Sequence, residues 1–467
     1  MDYSGKKVVV MGLGLNGGGL ESARFFLKRG ADITVTDLRD EKTLLPSIEQ
    51  LEIDQVGRKN VRYVLGRHEI EDFKNADIVI KNPGVKPDSP FLQAARHIET
   101  DISLFLAESP AKLFAVTGTK GKSGTASALY HILKNTDTNG KAYLGGNITV
   151  SPLTFLEGLT ENDNVVLELS SFQLGDLKNK PLKPCASVLT AIMSDHQDRY
   201  KSMEDYIDDK KNIYRGQDKG GITVAGDDNW GKSFLAESKA RPLVYSHNPL
   251  PEGVNGGWLS GGGPALARLS NWEGVSGETE ELVPSRLLTP GEHQKINLLS
   301  AALAVYGFGT KAKDIHGALA SFSGIEHRLE LFHTSNGVRY YNDSAATIPE
   351  AAAACVEALS AEGPLVLVTG GTDKNLDFSP LVKAAKKASS IILLEGTGSE
   401  KLTRLLGEAG ISYSGPFDNL ENAVRCAVEK AAKGSVVALS PGCASFGMFL
   451  NEFDRGRKWK EAVLRLA

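Results

Sequence analysis

Residues 114–123 read Phe114-Ala115-Val116-Thr117-Gly118-Thr119-Lys120-Gly121-Lys122-Ser123. An apolar, strand-like run breaks into a loop with two glycines, ends in Lys-Ser, and is followed by a helical pattern from Ala126 to Leu133. Backbone N–H groups freed by Gly118 and Gly121 can wrap a polyphosphate, and Lys122 can neutralise its outer oxygens. Ser123 offers a hydroxyl to Mg²⁺, and the helix points its positive end at the anion. The usual eight-residue P-loop has a glycine where Val116 stands, so this is a shortened form. With a strand before it and a helix after it, the loop is read as a nucleotide triphosphate cradle rather than a structural turn.

Outward from this loop the chain alternates strand and helix. Lys7 to Met11 is a β-branched run, Leu20 to Arg29 a helix pattern, Asp32 to Thr36 a second strand, and Asp77 to Lys81 a strand ending at Asn82-Pro83-Gly84. Beyond the loop, strands are predicted at Val165–Leu169 and Ser187–Thr190, and a polar helix over Met203–Tyr214. Residues 218–290 change to short strands with glycine-rich turns, an antiparallel add-on or long surface loops. Helices return at Ile296–Tyr306 and Lys313–Ser321, and a third alternation follows Gly324, with strands at Arg339–Tyr341, Leu365–Thr369, Ile391–Leu394 and Val436–Leu439. Such a pattern builds parallel sheets with helices on their faces, and 467 residues are too many for one core. Three α/β modules in series are expected.

The bulk composition narrows the partners. With 41% apolar and 24% charged residues and a formal net charge of −4, nothing calls for a nucleic-acid partner or a bilayer surface. No stretch approaches the ~20 apolar residues of a membrane span, and the start runs into a strand with no signal-peptide core. Cys185, Cys355, Cys426 and Cys443 are scattered without metal-ligand spacing and read as buried small residues of a reducing compartment, so the cytoplasm is expected.

Further motifs sit at strand ends. Gly12-Leu13-Gly14-Leu15-Asn16-Gly17 follows a strand and opens a helix, and Asp37 ends the next strand. This fits a dinucleotide fingerprint, with a nicotinamide or flavin cofactor, another nucleotide or a plain turn all open. A phosphate loop in the next module weakens the dehydrogenase reading and favours a nucleotide-linked substrate. Glu168, at the end of Val165-Val166-Leu167, stands where Mg²⁺ is held beside a phosphate loop, the alternative being a surface glutamate. His196 lies in Asp195-His196-Gln197-Asp198-Arg199-Tyr200, a loop crowded with ionisable groups at the same sheet edge. Lys210, among Asp208, Asp209 and Lys211, reads as part of a solvated charged face.

In the third module, His327-Arg328 follows Gly324, where a fixed cation can meet the γ-phosphate of a nucleotide. Asn342-Asp343-Ser344 offers a carboxylate to a ribose or a metal-bound water. With Gly370-Gly371-Thr372-Asp373-Lys374 and Ser440-Pro441-Gly442-Cys443-Ala444-Ser445, these loops leave the carboxyl ends of parallel strands and together suggest a substrate crevice.

This set of motifs, in this order and over essentially the whole chain, resembles the Mur ligase family. The resemblance rests on Gly12-Leu13-Gly14-Leu15, Asn82-Pro83-Gly84, the Thr117–Ser123 loop and Gly145-Gly146-Asn147-Ile148. It continues through Glu168-Leu169-Ser170-Ser171-Phe172-Gln173-Leu174, the Asp195–Tyr200 loop, His327-Arg328, Asn342-Asp343-Ser344 and Ser445-Phe446. It implies a Rossmann-like N-terminal domain over 1–108, a central P-loop-type mononucleotide-binding α/β domain over 109–324, and a C-terminal Rossmann-like α/β domain over 325–467. The Glu-Leu-Ser-Ser-Phe-Gln-Leu string and the short first domain point to the D-glutamate-adding member. The implied activity is ATP-dependent addition of D-glutamate to UDP-N-acetylmuramoyl-L-alanine in peptidoglycan precursor synthesis, by a cytoplasmic monomer using ATP and two Mg²⁺.

By the same resemblance, Leu15, Asn16, Asp37, Arg39, Gly84 and Asn147 would bind the uridine-nucleotide substrate. Gly118, Thr119, Lys120, Gly121, Lys122, Ser123, Asn297, Arg328 and Asp343 would bind ATP. Thr347, Lys374, Ser445 and Phe446 would surround D-glutamate. Lys122 would stabilise the transferring phosphoryl group, and Ser123, Glu168 and His196 would ligate metal. Lys210 falls, by the Tyr-x-x-x-Lys-x-x-Ile-Tyr spacing of Tyr206, Ile213 and Tyr214, on a lysine that the family carbamylates, which would make it a further metal ligand.

The chain departs from the family at Gly124, where a threonine is usual, and at Ala345, in place of a lysine that Lys374 or another cation would replace. In Asn451-Glu452-Phe453 the aromatic is shifted by one position. Alternative readings are a Mur-type or folylpolyglutamate-type amide ligase for another amino acid, a nicotinamide-dependent oxidoreductase, and an ATP-binding scaffold.

Overall fold

The computed structural model describes residues 3–15, 17–53, 61–136, 139–148, 150–196, 199–275 and 277–467. The described residues form three separate sheets. The first contains β1 (Lys7–Met11), β2 (Asp32–Asp37), β3 (Arg62–Leu65), β4 (Ile78–Lys81) and β5 (Ile98–Glu99), all parallel, in the order β3-β2-β1-β4-β5. The order reverses between β1 and β4, which leaves a crevice at their carboxyl ends.

The second sheet has nine strands: β6 (Lys112–Thr117), β7 (Ala142–Gly146), β8 (Asn164–Glu168), β9 (Ala186–Leu189), β10 (Ile222–Gly226), β11 (Arg241–Ser246), β12 (Gly256–Leu259), β13 (Ala265–Arg268) and β14 (Glu280–Val283). Their order is β14-β13-β12-β11-β10-β9-β6-β8-β7, so β6 lies between β8 and β9. The expected add-on over residues 218–290 is therefore only half antiparallel. Strands β10, β11 and β12 continue the parallel sheet, β13 turns back against β12, and β14 pairs antiparallel with β13 at the edge.

The third sheet runs β15-β16-β20-β17-β18-β19, from β15 (Glu330–Ser335), β16 (Val338–Asn342), β17 (Leu365–Thr369), β18 (Ser390–Leu394), β19 (Ser414–Phe417) and β20 (Val436–Leu439). Only β15 is antiparallel. Alternation of period two decides which face each side chain fills. Leu365 and Leu367 pack with Leu359 and Phe378 on one face, Val366 and Val368 with Val424 and Trp459 on the other. A strand buried on both faces must read as a continuous apolar run, which is why β17 and β20 have their sequence-predicted bounds.

Two compact units result, Met1–Pro284 with Ile296–Leu319, and Ser285–Lys295 with Ala320–Ala467. In the first unit the cores of the first two sheets are continuous, Val10, Phe26 and Phe105 belonging to one cluster with Leu113, Leu167 and Leu189. All four cysteines are free thiols. Cys355 and Cys443 are buried as expected, whereas Cys185 and Cys426 are half-buried. Among the described residues no helix is long and apolar enough to cross a membrane.

Candidate active site

The phosphate loop leaves the carboxyl end of β6 and enters the helix Lys122–Asn135. Gly118 and Gly121 have φ of +151° and +91°, and both are pressed against neighbours. A Cβ on Gly118 would fall on Thr190 Oγ1, and one on Gly121 on the carboxamide of Asn297. Only glycine gives the loop this path, and Asn297, on the helix Glu292–Tyr306, forms its wall. Thr119 is buried and its hydroxyl donates to the Met193 carbonyl at 3.1 Å. With that proton placed, the hydroxyl accepts from Met193 N–H at 3.0 Å and from Tyr206 O–H at 2.9 Å, which ties the loop to the segment after β9.

Lys122 donates to the Gly118 and Thr119 carbonyls, at 3.0 and 2.9 Å. Lys210 donates to the same Gly118 oxygen at 2.8 Å. The expectation that Lys210 lies on a solvated face is overturned, since it is 1% exposed. On the helix Met203–Lys211 the buried positions are Tyr206, Ile207 and Lys210, one face at i, i+1 and i+4, while Asp208 and Lys211 point elsewhere. Burial, and then the charge of Lys122, push its amine down to about 7, and its nitrogen lies 4.5 Å from the Tyr206 ring centre.

Glu168 ends β8, directly beside Val116 of β6 and Gly146 of β7. It is 1% exposed. Asn147 Nδ2 donates to its Oε1 at 2.8 Å, and Asn147 N–H to its carbonyl at 2.8 Å. Its other carboxylate oxygen, Oε2, is buried with no hydrogen-bond partner among the described residues. An orphaned carboxylate oxygen is costly unless a cation or donor meets it, so this residue fits a divalent ion beside the phosphate loop. His196 is exposed, in the left-handed region at φ +54°, with its ring 4.8 Å from that of Phe172. Gln197 and Asp198 lie outside the described residues. Arg199 stacks on Phe172 at 3.7 Å and donates to the carbonyls of Gly84 and Val85, both at 3.2 Å. The Asp-His loop is thereby fastened to the Asn82-Pro83-Gly84 loop of the first sheet.

At the switch point of the first sheet lies a cleft of about 310 Å³ lined by Gly14, Leu15, Asp37, Arg39, His68 and Gly84, among others. Four of the residues expected there from sequence line it together, and Asn16 lies outside the described residues. The Asp37 carboxylate accepts N–H groups from Gly14 at 3.1 Å and Arg39 at 2.9 Å, so it shapes the glycine loop as well as facing the cleft. His68 carries no sequence motif and was not anticipated; its place just after β3, at the same sheet edge, was the available signal.

In the second unit, the loops after β16, β20 and β17 are neighbours because those strands are adjacent. Thr372 and Ala444 exchange both backbone hydrogen bonds at 3.0 Å, and Arg455 donates to Ser344 Oγ, Ser344 O and Cys443 O. Thr347, Lys374, Ser445 and Phe446 thus stand on three joined loops, with Lys374 and Phe446 exposed and Ser445 buried. Asp343, expected at a nucleotide, is buried and accepts from Leu329 N–H at 3.1 Å and Ser440 O–H at 2.6 Å. Exposed Arg328 sits between His327 and Leu329, both left-handed at φ +66° and +45°. Glu330 accepts the His327 N–H at 3.0 Å as Asp343 accepts that of Leu329, so two carboxylates fix the backbone on either side of Arg328. Among the described residues, the one gathering of three acidic or imidazole groups close enough for a metal is Glu326, His327 and Glu330. The Lys460 ammonium already bridges its two carboxylates, at 3.2 and 2.7 Å.

Comparison with known proteins finds three family domains in series along the chain. Residues 6–103 match the MurD-like N-terminal domain of Mur ligases, 116–305 the Mur ligase middle domain and 327–443 the Mur ligase glutamate ligase domain. The chain is 38% identical to a protein of Treponema pallidum and 40% identical to one of Borreliella burgdorferi, both named UDP-N-acetylmuramoylalanine--D-glutamate ligase; each match covers 98% of this chain and 97% of the relative. Its fold is similar to the crystal structure of UDP-N-acetylmuramate-alanine ligase MurC from Thermotoga maritima, with a TM-score of 0.60 at 20% identity over 98% of this chain and 99% of that one. Three matching domain families in series, and relatives of this identity along the full length, leave one conclusion: the chain belongs to the Mur ligase family.

Proposed function

We propose that this chain is an ATP-dependent ligase that joins D-glutamate to UDP-N-acetylmuramoyl-L-alanine in peptidoglycan precursor synthesis. The observation that carries this reading is the near-full-length likeness to relatives bearing that name. Residues 1–108 would hold the uridine nucleotide, 109–324 ATP, and 325–467 D-glutamate. The Leu15, Asp37, Arg39 and Gly84 cleft supports the first assignment and the Gly118–Ser123 loop the second.

In this reading a substrate carboxylate oxygen attacks the γ-phosphorus of ATP and ADP leaves, giving an acyl phosphate. The amine of D-glutamate then attacks the acyl carbon, loses a proton, and the tetrahedral adduct expels phosphate. The protein's share is positioning and charge neutralisation. Lys122, held over its own loop, supplies a cation to the transferring phosphoryl group, with Lys120, Asn297 and Arg328 around the nucleotide. Mg²⁺, when bound, would neutralise phosphoryl oxygens, with Ser123, Glu168, His196 and a carbamylated Lys210 as its holders. Asn147 fixes the Glu168 carboxylate, leaving Oε2 free for that purpose. Asp343 would act on ATP through the Arg328 segment it holds. Thr347, Lys374, Ser445 and Phe446 would receive D-glutamate.

Phosphate release with UDP-N-acetylmuramoyl-L-alanine and a panel of D-glutamate, L-glutamate, L-lysine and meso-diaminopimelate tests the assignment. Turnover with D-glutamate alone is expected. Turnover with another member of the panel and none with D-glutamate overturns it.

A further inference from the structure

His68 stands in the first-domain cleft with Asp37 and Arg39, and its two ring nitrogens are distinguishable. Its ring is set edge-on against Phe73 and Phe91, with centroids 5.9 and 5.0 Å away, so its plane is fixed by packing. Its Nδ1 lies 2.7 Å from the hydroxyl of Thr36, which is wholly buried at the end of β2. That hydroxyl owns a single proton, and it donates to the carbonyl of Arg67 at 3.1 Å, an oxygen that can only accept. The arrangement that satisfies both contacts with one hydroxyl proton has the hydroxyl donate to Arg67 and accept from His68, which places the ring proton on Nδ1. Burial pushes the imidazole below its usual range against the pull of Asp37, so the ring is neutral at pH 7. In a neutral ring protonated at Nδ1, Nε2 is a bare acceptor. Because Nδ1 is engaged with a buried wall residue, the side of the ring left to the cleft is the Nε2 side.

A uracil ring joined to ribose has one N–H donor, the imide N3–H between two carbonyls. We propose that Nε2 of His68 accepts this N–H and thereby reads the base of the substrate nucleotide. The inference rests on the reading that the first domain holds the uridine nucleotide. Asp37 also has lone pairs near the cleft, but both its oxygens already receive backbone N–H groups, whereas the hydrogen bond of the His68 ring among the described residues is made by Nδ1 and not by Nε2.

The test is calorimetric binding of UDP and of N3-methyl-UDP to the full-length protein and to His68→Phe and His68→Gln. Methylation removes the donor without touching the phosphates. The wild-type protein is expected to bind N3-methyl-UDP at least about tenfold more weakly than UDP, the size of one buried hydrogen bond. In His68→Phe, UDP itself weakens about tenfold and the methylation penalty falls below about threefold; His68→Gln, with an acceptor at similar reach, recovers part of both. A methylation penalty unchanged in His68→Phe, with UDP still bound, overturns the inference and assigns N3–H to another acceptor. Absence of UDP binding to the wild-type protein overturns the first-domain reading and the inference with it. Binding of an ATP analogue by each variant verifies the fold, and ¹⁵N shifts of His68 in the wild-type protein provide a check free of mutation, a proton on Nε2 instead of Nδ1 being the contrary result.

Discussion

The amines of Lys122 and Lys210 converge on one acceptor, the carbonyl oxygen of Gly118, at 3.0 and 2.8 Å. Burial, and after it repulsion from the Lys122 charge, push the Lys210 pKa down to about 7. A neutral amine is the form that attacks CO₂, giving a carbamate that keeps one N–H for Gly118 and releases one proton. Attraction to Lys122 would then replace repulsion. The expected result is a carbamate ¹³C signal after equilibration with labelled bicarbonate, absent in Lys210→Met, whose activity falls at least about a hundredfold. Signal and activity should both decline below about pH 7, where the amine gains its proton. The folded amine lies below its ordinary 10.5, so stability rises with pH between about 7 and 10.5 wherever the carbamate is absent.

Gly118→Ala and Gly121→Ala test the loop's shape separately from its charge. Each adds one methyl where Thr190 or Asn297 already stands, at a φ that side chains rarely adopt. A stability loss of about 1–3 kcal/mol is expected by urea denaturation, with at least about tenfold weaker ATP binding. An additional Thr190→Ser change leaves the clashing oxygen in place and should rescue nothing, whereas Thr190→Ala should recover part of the Gly118→Ala loss.

Strands β17 and β20 were legible to the residue because burial on both faces writes an unbroken apolar run. Strand β11, Arg-Pro-Leu-Val-Tyr-Ser, was not, since it carries a proline and polar ends and is a strand only because β10 and β12 pair with it. The loops at strand ends were readable from glycines and charges, because ligand loops leave parallel sheets at their carboxyl ends. Lys210 was misread because its sequence neighbours are charged, although the stripe Tyr206, Lys210, Ile213, Tyr214 held the signal at helical spacing. The inward turn of Asp343 had no such signal. It depends on Leu329 and Ser440, which come from distant parts of the chain.

That inward turn gives a stability prediction. Burial raises the Asp343 carboxyl from 3.8 to about 6, against the pull of the Ser440 and Leu329 hydrogen bonds. Between these values the folded state binds more protons than the unfolded state, so stability contributed here falls as pH rises through 3.8 to 6 and stays low above it. Asp343→Asn keeps an acceptor for Leu329 and can donate to Ser440 once that hydroxyl turns. It should flatten this slope and stabilise the protein by about 1–3 kcal/mol at pH 7, read from urea midpoints at pH 4 to 8. Its ATP turnover should nevertheless fall, since Arg328 loses part of the electrostatic hold on its segment.

Lys81 and Asp176 form a buried ion pair, 2.6 Å apart and 4% and 11% exposed, between β4 of the first sheet and the turn that follows Gln173 and Gly175. Burial lowers the lysine and raises the carboxyl, each only partly offset by the other, so desolvation outweighs attraction at both ends. Removing one partner should then cost far more than removing both. Lys81→Met strands the Asp176 carboxylate and should destabilise the first unit by about 3–5 kcal/mol, while Lys81→Met with Asp176→Leu should lie within about 1 kcal/mol of wild type or above it. The pair also aligns Asn82-Pro83-Gly84 with the Phe172 region, a register that Arg199 supports through Gly84 and Val85. An apolar replacement keeps the packing but gives up that direction. The double variant should therefore retain its urea midpoint while KM for the uridine-nucleotide substrate rises severalfold and KM for ATP does not; a wild-type KM for both would show that Arg199 alone sets the register.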